Sequence, residues 1–143
     1  MSSSKKRIFK ILTHAKVVFW DFDGVIKDSA HIKLQAYLDM FVAHGSEIQN
    51  KVFTTYKTSG GMSRFELIPK LYQDLLDMKL TNEQLVEKLN LYSDMVVDKV
   101  LESPYIDGVQ KYLIDHFKRQ KFIIVTNTPK IEIELILKTL GIV

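Results

Sequence analysis

Two short runs of β-branched and aromatic residues most strongly constrain the fold that this chain can adopt. They lie at 16–20 (Lys-Val-Val-Phe-Trp) and 122–125 (Phe-Ile-Ile-Val), and small polar residues follow each run. Such short, continuous apolar runs are typical of strands buried on both faces. Helical patterns fill the sequence between them and follow the second. The order of strand, several helices, strand and helix predicts a parallel α/β sheet with a helical insertion after the first strand.

The helices of this insertion and of the following segments have recognisable end signals. Thr81 with Gln84 forms a capping-box pattern, and Pro129 suits the first position of a helix. Gly45 is a plausible C-cap. We expect helices at about 31–43, 63–78, 81–101, 109–119 and 129–140, and a weaker one at 46–58.

Two aspartates follow the first predicted strand. Residues two apart in a strand point to the same side, and open α/β sheets bind ligands at the carboxyl ends of their strands. Asp21 and Asp23 would therefore converge there, close enough to share one Mg²⁺ ion. Backbone amides at the turn, those of Phe22 and Gly24, can hold phosphate oxygens. Such a pair suits covalent phosphoryl transfer, with one carboxylate as nucleophile and the other as general acid and base.

The second predicted strand ends in Thr126 and Asn127. In a parallel sheet this end lies on the same edge as Asp21, where a hydroxyl can donate to a phosphoryl oxygen. The helix starting near Pro129 adds a favourable dipole end. An Asp-x-Asp-Gly segment alone is a common turn, and Thr-Asn alone is an ordinary loop. Their occurrence at matching ends of two strands is what indicates a site.

These residues resemble a known enzyme superfamily. The segment 21–29 resembles the first motif of the haloacid dehalogenase (HAD) superfamily, and 125–129 resembles its second. The resemblance implies a partial Rossmann-like core in which Asp21 is the nucleophile and Asp23 the acid/base. It implies Mg²⁺ held by the Asp21 carboxylate and the Asp23 backbone carbonyl, with Thr126 and Asn127 binding the phosphoryl group. The implied activity is magnesium-dependent hydrolysis of a small phosphate monoester, such as phosphoglycolate or a sugar phosphate.

The segment between the motifs resembles the helical cap of phosphoglycolate phosphatase and β-phosphoglucomutase. This implies a cap at 29–103 and a core at 1–28 and 104–143. The stretch 61–64 is similar to a substrate-contacting cap loop of the phosphomutase branch, which implies substrate roles for Ser63 and Arg64. The alternative is that Ser63 is only a helix N-cap and Arg64 a solvated first-turn residue.

Two elements of the family pattern do not occur before residue 143. They are the lysine of the third motif and the acidic pair of the fourth, so we expect a C-terminally truncated chain whose activity alone is in doubt. A second polypeptide that supplies the missing C-terminal half is a possible partner, and the sequence does not identify it. The alternatives are a sugar phosphomutase, indicated only by residues 61–64, and a non-catalytic fragment or interaction module.

The composition of the chain excludes several types of site and of binding function. The sequence has no cysteine, which excludes disulfides, zinc–thiolate sites and thiol nucleophiles. The net charge of +3 comes partly from basic residues near the N-terminus, which we interpret as a solvated tail. No nucleic-acid-binding module and no membrane-length apolar run is present, and the four histidines show no ligand spacing. We therefore expect a cytoplasmic protein whose partner is a small phosphorylated metabolite, without nucleic-acid or membrane binding.

Overall fold

The chain folds into one short parallel sheet and a set of helices. The computed structural model describes residues 3–142, and the side chains of residues 3–6, 8 and 9 lie outside that description. The helices and strands are α1 Ser3–His14, β1 Val17–Trp20, α2 Ala30–Met40, a 3₁₀ turn Val42–His44, α3 Gly45–Thr58, α4 Arg64–Leu76, α5 Asn82–Glu102, α6 Val109–His116, β2 Lys121–Ile124 and α7 Lys130–Thr139. The predicted fold class, α/β with parallel strands and an inserted helical block, is confirmed.

The chain divides into two compact units. The sheet unit comprises the residues up to Asp28 together with Pro104–Thr126, and the helical unit comprises Ser29–Ser103 together with the residues from Asn127 onward. The predicted core, 1–28 with 104–143, and the predicted cap, 29–103, stay predictions. In the observed division α7 groups with the helical unit. The assignment of the two units as catalytic core and cap stays a prediction.

In the sheet unit, β1 and β2 pair in parallel over four residues each. The register runs from Val17 opposite Lys121 to Trp20 opposite Ile124. Trp20 is buried and packs edge-on against Phe122, with ring centroids 5.9 Å apart. On the opposite face, Phe19 is 68% exposed. The expectation that the first strand is buried on both faces is therefore wrong for this face, because no other described element of the sheet unit covers it.

Residues 3–14 form a helix, where the sequence indicated a solvated basic tail. The end of α1 is fixed by the residues that lead into β2. The side-chain amide of Gln120 donates to the carbonyls of Leu12 and Ala15 at 2.7 and 2.8 Å. The Tyr112 hydroxyl donates to the Leu12 carbonyl at 3.0 Å. The side chains of Lys5 and Lys6 lie outside the described part of the chain.

The helical unit has an aromatic and aliphatic core. The rings of Tyr37 on α2 and Tyr92 on α5 lie 4.5 Å apart between centroids. Fully buried aliphatic side chains from α3 and α4 complete this core: Val52, Ile68 and Leu71. From α7, Ile133, Ile136 and Leu137 are also buried. Their spacing places one apolar face of this helix inward.

One predicted helix cap is confirmed and another is wrong. The Thr81–Gln84 capping box is confirmed, since Gln84 N–H donates to Thr81 Oγ1 at 3.2 Å and Thr81 N–H to Gln84 Oε1 at 2.9 Å. Gly45 does not cap the end of α2, because that helix ends at Met40 and Gly45 begins α3 after the 3₁₀ turn. Within residues 3–142, no helix combines the length and hydropathy needed to cross a membrane.

Candidate active site

The pairing of the strands brings Asp21 and Thr126 to one edge of the sheet. Trp20 and Ile124 are opposite each other at the ends of β1 and β2, and Val125 N–H donates to Trp20 O at 2.8 Å. Asp21 and Thr126 follow this last rung on their respective strands, at the carboxyl ends where open α/β sheets bind ligands. The Asp21 side chain is exposed and Asp23 is half-buried.

The turn after Asp21 is closed by its own backbone. The Phe22 carbonyl accepts the amides of Ile26 at 2.9 Å and Lys27 at 3.1 Å, and Gly24 N–H donates to Lys27 O at 2.7 Å. Gly24 has φ 77°, a conformation that costs glycine little and other residues more. The fully buried Phe22 ring anchors the turn from below. The Asp-x-Asp-Gly sequence thus forms a fixed loop rather than a flexible one.

The two amides predicted to hold phosphate already have acceptors. Phe22 N–H donates to Asp21 Oδ1 at 2.6 Å, and Gly24 N–H is the donor to Lys27 just described. An amide has a single proton, so binding phosphate through either would require these partners to be exchanged. The Phe22 bond joins neighbouring residues and is the easier of the two to exchange. The roles of both amides in phosphate binding stay predictions.

Lys27, which closes this turn, is buried. Only 3% of the residue is exposed, and its Nζ lies 4.7 Å from the centroid of the Tyr105 ring. Burial lowers the pKa of the Lys27 ammonium. Tyr105 was not singled out by the sequence analysis, because no local spacing connects it to the turn.

The residues after β2 are held by the helical unit, to which Asn127 and Thr128 belong. The Asn127 side-chain amide donates to the carbonyl of Gly61. Thr128 is buried, and its Oγ1 accepts from Lys33 Nζ at 2.8 Å. The Asn127 side chain, predicted to assist phosphate binding, therefore has a protein acceptor within its own unit.

Ser63 and Arg64 begin α4. Ser63 is the N-cap residue by position, but its hydroxyl donates to Glu66 Oε2 at 3.1 Å instead of accepting a backbone amide. Arg64 is only 5% exposed and pairs with Glu132 at 2.8 Å. The interpretation of Arg64 as a solvated first-turn residue is therefore wrong. The substrate roles of Ser63 and Arg64 stay predictions.

The donor set at this edge suits magnesium. Among residues 3–142, no group of three or more histidine, aspartate or glutamate side chains is placed to hold a metal ion. The edge offers one pair of carboxylates, Asp21 and Asp23. Mg²⁺ is commonly held by one or two carboxylates, with water and substrate phosphate completing its shell. The residues present therefore fit this ion, whereas zinc would require more protein ligands.

No family model matches the chain, and no curated protein matches it. A solved structure does match: the "Putative Phosphatase from Clostridium difficile", with a TM-score of 0.56 and 16% sequence identity. The chain shares the fold of the matched part of this protein. The match covers 90% of the present chain and 56% of the other, so the chain spans little more than half of its neighbour's length. At this identity the likeness establishes the fold alone.

Proposed function

We propose that this chain belongs to a magnesium-dependent phosphatase of the haloacid dehalogenase type, acting on a small phosphate monoester. The observation that carries the proposal is the parallel pairing of β1 and β2, which places Asp21 and Thr126 at one sheet edge. The matched structure, described as a phosphatase, supports the same class. The chain spans only part of that neighbour, so what the neighbour is described as comes to this chain only as a proposal.

In the proposed reaction, Asp21 is the nucleophile. One of its carboxylate oxygens attacks phosphorus while the bond from phosphorus to the substrate oxygen breaks, which leaves an aspartyl phosphate. Asp23, two residues away in the fixed turn, supplies the proton to the departing oxygen. The exposed position of Asp21 gives a phosphate group access to its carboxylate.

Hydrolysis of the aspartyl phosphate completes the cycle. The Asp23 carboxylate takes a proton from water, the water oxygen attacks phosphorus, and the bond to Asp21 breaks to release inorganic phosphate. The Thr126 hydroxyl donates to a phosphoryl oxygen in both steps. Mg²⁺, held by the Asp21 carboxylate and the Asp23 backbone carbonyl, would neutralise the negative charge of the phosphate beside the carboxylates.

The nucleophile is tested by Asp21→Asn. The purified protein is assayed for phosphate release from p-nitrophenyl phosphate and from a sugar phosphate, with and without magnesium. Asp98→Asn is the matched control, because it removes an exposed carboxylate on α5. We expect Asp21→Asn to abolish phosphate release and Asp98→Asn to retain it. Equal rates in the wild type and Asp21→Asn would contradict the proposal, and an inactive wild type would favour a non-catalytic module.

The acid role of Asp23 has a separate test. Nitrophenolate leaves without protonation, whereas a sugar alkoxide requires a proton. We expect Asp23→Asn to slow the first-turnover release of the sugar much more than that of p-nitrophenol, since the later attack by water, which also uses Asp23, is common to both substrates. The same loss with both substrates would assign Asp23 another role. Formation of an isomeric sugar phosphate instead of inorganic phosphate would indicate a mutase.

A further inference from the structure

A buried ion pair in the helical unit joins α4 to the first turn of α7. Arg64 Nη1 donates to Glu132 Oε1 at 2.8 Å and to Ser93 Oγ at 3.0 Å. Ser93 Oγ donates to the same glutamate oxygen at 2.6 Å. The side chains of Arg64 and Glu132 are 4% and 17% exposed. Three helices, α4, α5 and α7, therefore meet at one carboxylate oxygen.

The residues around this pair stabilise the Arg64 cation in the interior of the helical unit. The Arg64 guanidinium carbon lies 4.6 Å from the centroid of the Tyr92 ring, within the range of a cation–π contact. A buried charge is costly unless it is paired and hydrogen-bonded, and Arg64 has both kinds of partner. To reach a substrate in solvent, Arg64 would have to abandon them all and leave Glu132 buried without a cation.

The residues just before Glu132 are attached to the same unit at two more points. Asn127 donates to the Gly61 carbonyl, and Thr128 accepts from Lys33 on α2 at 2.8 Å. Asn127 directly follows Thr126 in the chain. The segment 127–132 is thus fixed from α2, from the loop before α4, and from α4 and α5.

We infer that Arg64 is a positioning residue, which through Glu132 fixes the start of α7 and the segment that follows Thr126. This inference rests on the proposed function, in which Thr126 holds the phosphoryl group. Misplacement of a positioning element by about 1 Å costs on the order of a hundredfold in rate. The effect of losing Arg64 therefore falls on the chemical step rather than on substrate affinity.

The test compares Arg64→Met, Glu132→Met and the double variant. Each single variant leaves one buried charge without its partner, whereas the double variant replaces the pair with apolar side chains of similar volume, which buried sites often tolerate well. We expect each single variant to lower kcat by about tenfold to a hundredfold with KM nearly unchanged, and the double variant to recover most of it. Arg64→Lys, which keeps the charge but not the guanidinium geometry, should be intermediate.

A substrate-binding Arg64 gives the opposite pattern. Arg64→Met would then raise KM, Glu132→Met would leave it unchanged, and the double variant would stay as impaired as Arg64→Met. That result would overturn the inference.

A measurement that needs no activity separates this inference from the proposed function. The backbone amide resonances of Asn127 and Thr128 are compared in the wild type, Arg64→Lys and the double variant. We expect shifts in Arg64→Lys and a return toward wild-type positions in the double variant. Shifts in an inactive protein would refute the proposed function and leave the positioning contact standing. Unchanged resonances in a folded Arg64→Lys would refute the contact.

Discussion

The buried tyrosine pair of the helical unit predicts a specific loss of stability in alkali. Burial raises the pKa of Tyr37 from its ordinary value of 10.0 to about 12. The hydrogen bond with Tyr92 and the nearby Arg64 charge lower this pKa, but their effect is smaller than that of burial. Tyr37 is only 3% exposed, so little solvent screens this effect. In the unfolded chain the same phenol ionises near pH 10.

The direction and size follow from these two pKa values. Below pH 10 both states keep the proton, and the free energy of unfolding does not change on account of Tyr37. Between pH 10 and about 12 the unfolded state loses the proton first, so stability falls as the pH rises. One pKa unit corresponds to about 1.4 kcal/mol, so Tyr37 alone should cost about 1.4 kcal/mol at pH 11 and about 2.7 kcal/mol above pH 12.

The assay is urea unfolding of the wild type and Tyr37→Phe at pH 9 and pH 11, followed by helical circular dichroism. The variant measures its own pH-independent cost at pH 9, and groups away from Tyr37 titrate alike in both proteins. Burial and the neighbouring Tyr37 raise the pKa of Tyr92, so both proteins are also compared with Tyr92→Phe added, which removes this group from the difference. We expect the wild type to lose about 1.4 kcal/mol more than Tyr37→Phe between the two pH values. Equal losses would refute the buried, protonated state of Tyr37.

Two further substitutions test the packing and capping of the helical unit by urea unfolding. Leu71→Ala removes a fully buried side chain and should cost about 2–5 kcal/mol, whereas Leu135→Ala, at a site 54% exposed, should cost about 0.5 kcal/mol or less; equal costs would contradict the assigned core. Thr81→Ala breaks the capping box of α5 and should cost about 1 kcal/mol, while Thr81→Ser should retain most of the stability; a similar loss in both would show that the hydroxyl is not what caps the helix.

Local signals predicted the elements well. Both strands lie within a residue of their predicted positions, because each run combines β-branched residues with a polar stop. The pairing of the two strands also followed from the sequence, since parallel strands need a long connection and the helical segment supplies one. Thr81 and Gln84 located the start of α5 because their cap is formed by neighbours in the sequence.

The contacts that the sequence did not predict are those between distant residues. Glu132 and Ser93 meet Arg64 from two other helices, and no spacing along the chain connects the three. The exposure of Phe19 was also not predicted. An apolar run predicts that a strand is buried but does not say which element covers each of its faces. The placement of α7 depends on its three buried apolar residues, which are equally suited to packing on a sheet.

The grouping of α7 with the helical unit affects how this protein can be divided. The segment 29–103 is continuous in sequence and therefore resembles a module that can be exchanged as one piece. Excised at those boundaries, it would lose Glu132, the partner of Arg64, and the buried apolar face of α7 formed by Ile133, Ile136 and Leu137. Burial of one such side chain contributes about 1.5–3 kcal/mol, against the roughly 5–15 kcal/mol that typically stabilises a domain. The transferable module is therefore discontinuous, and α7 must travel with residues 29–103.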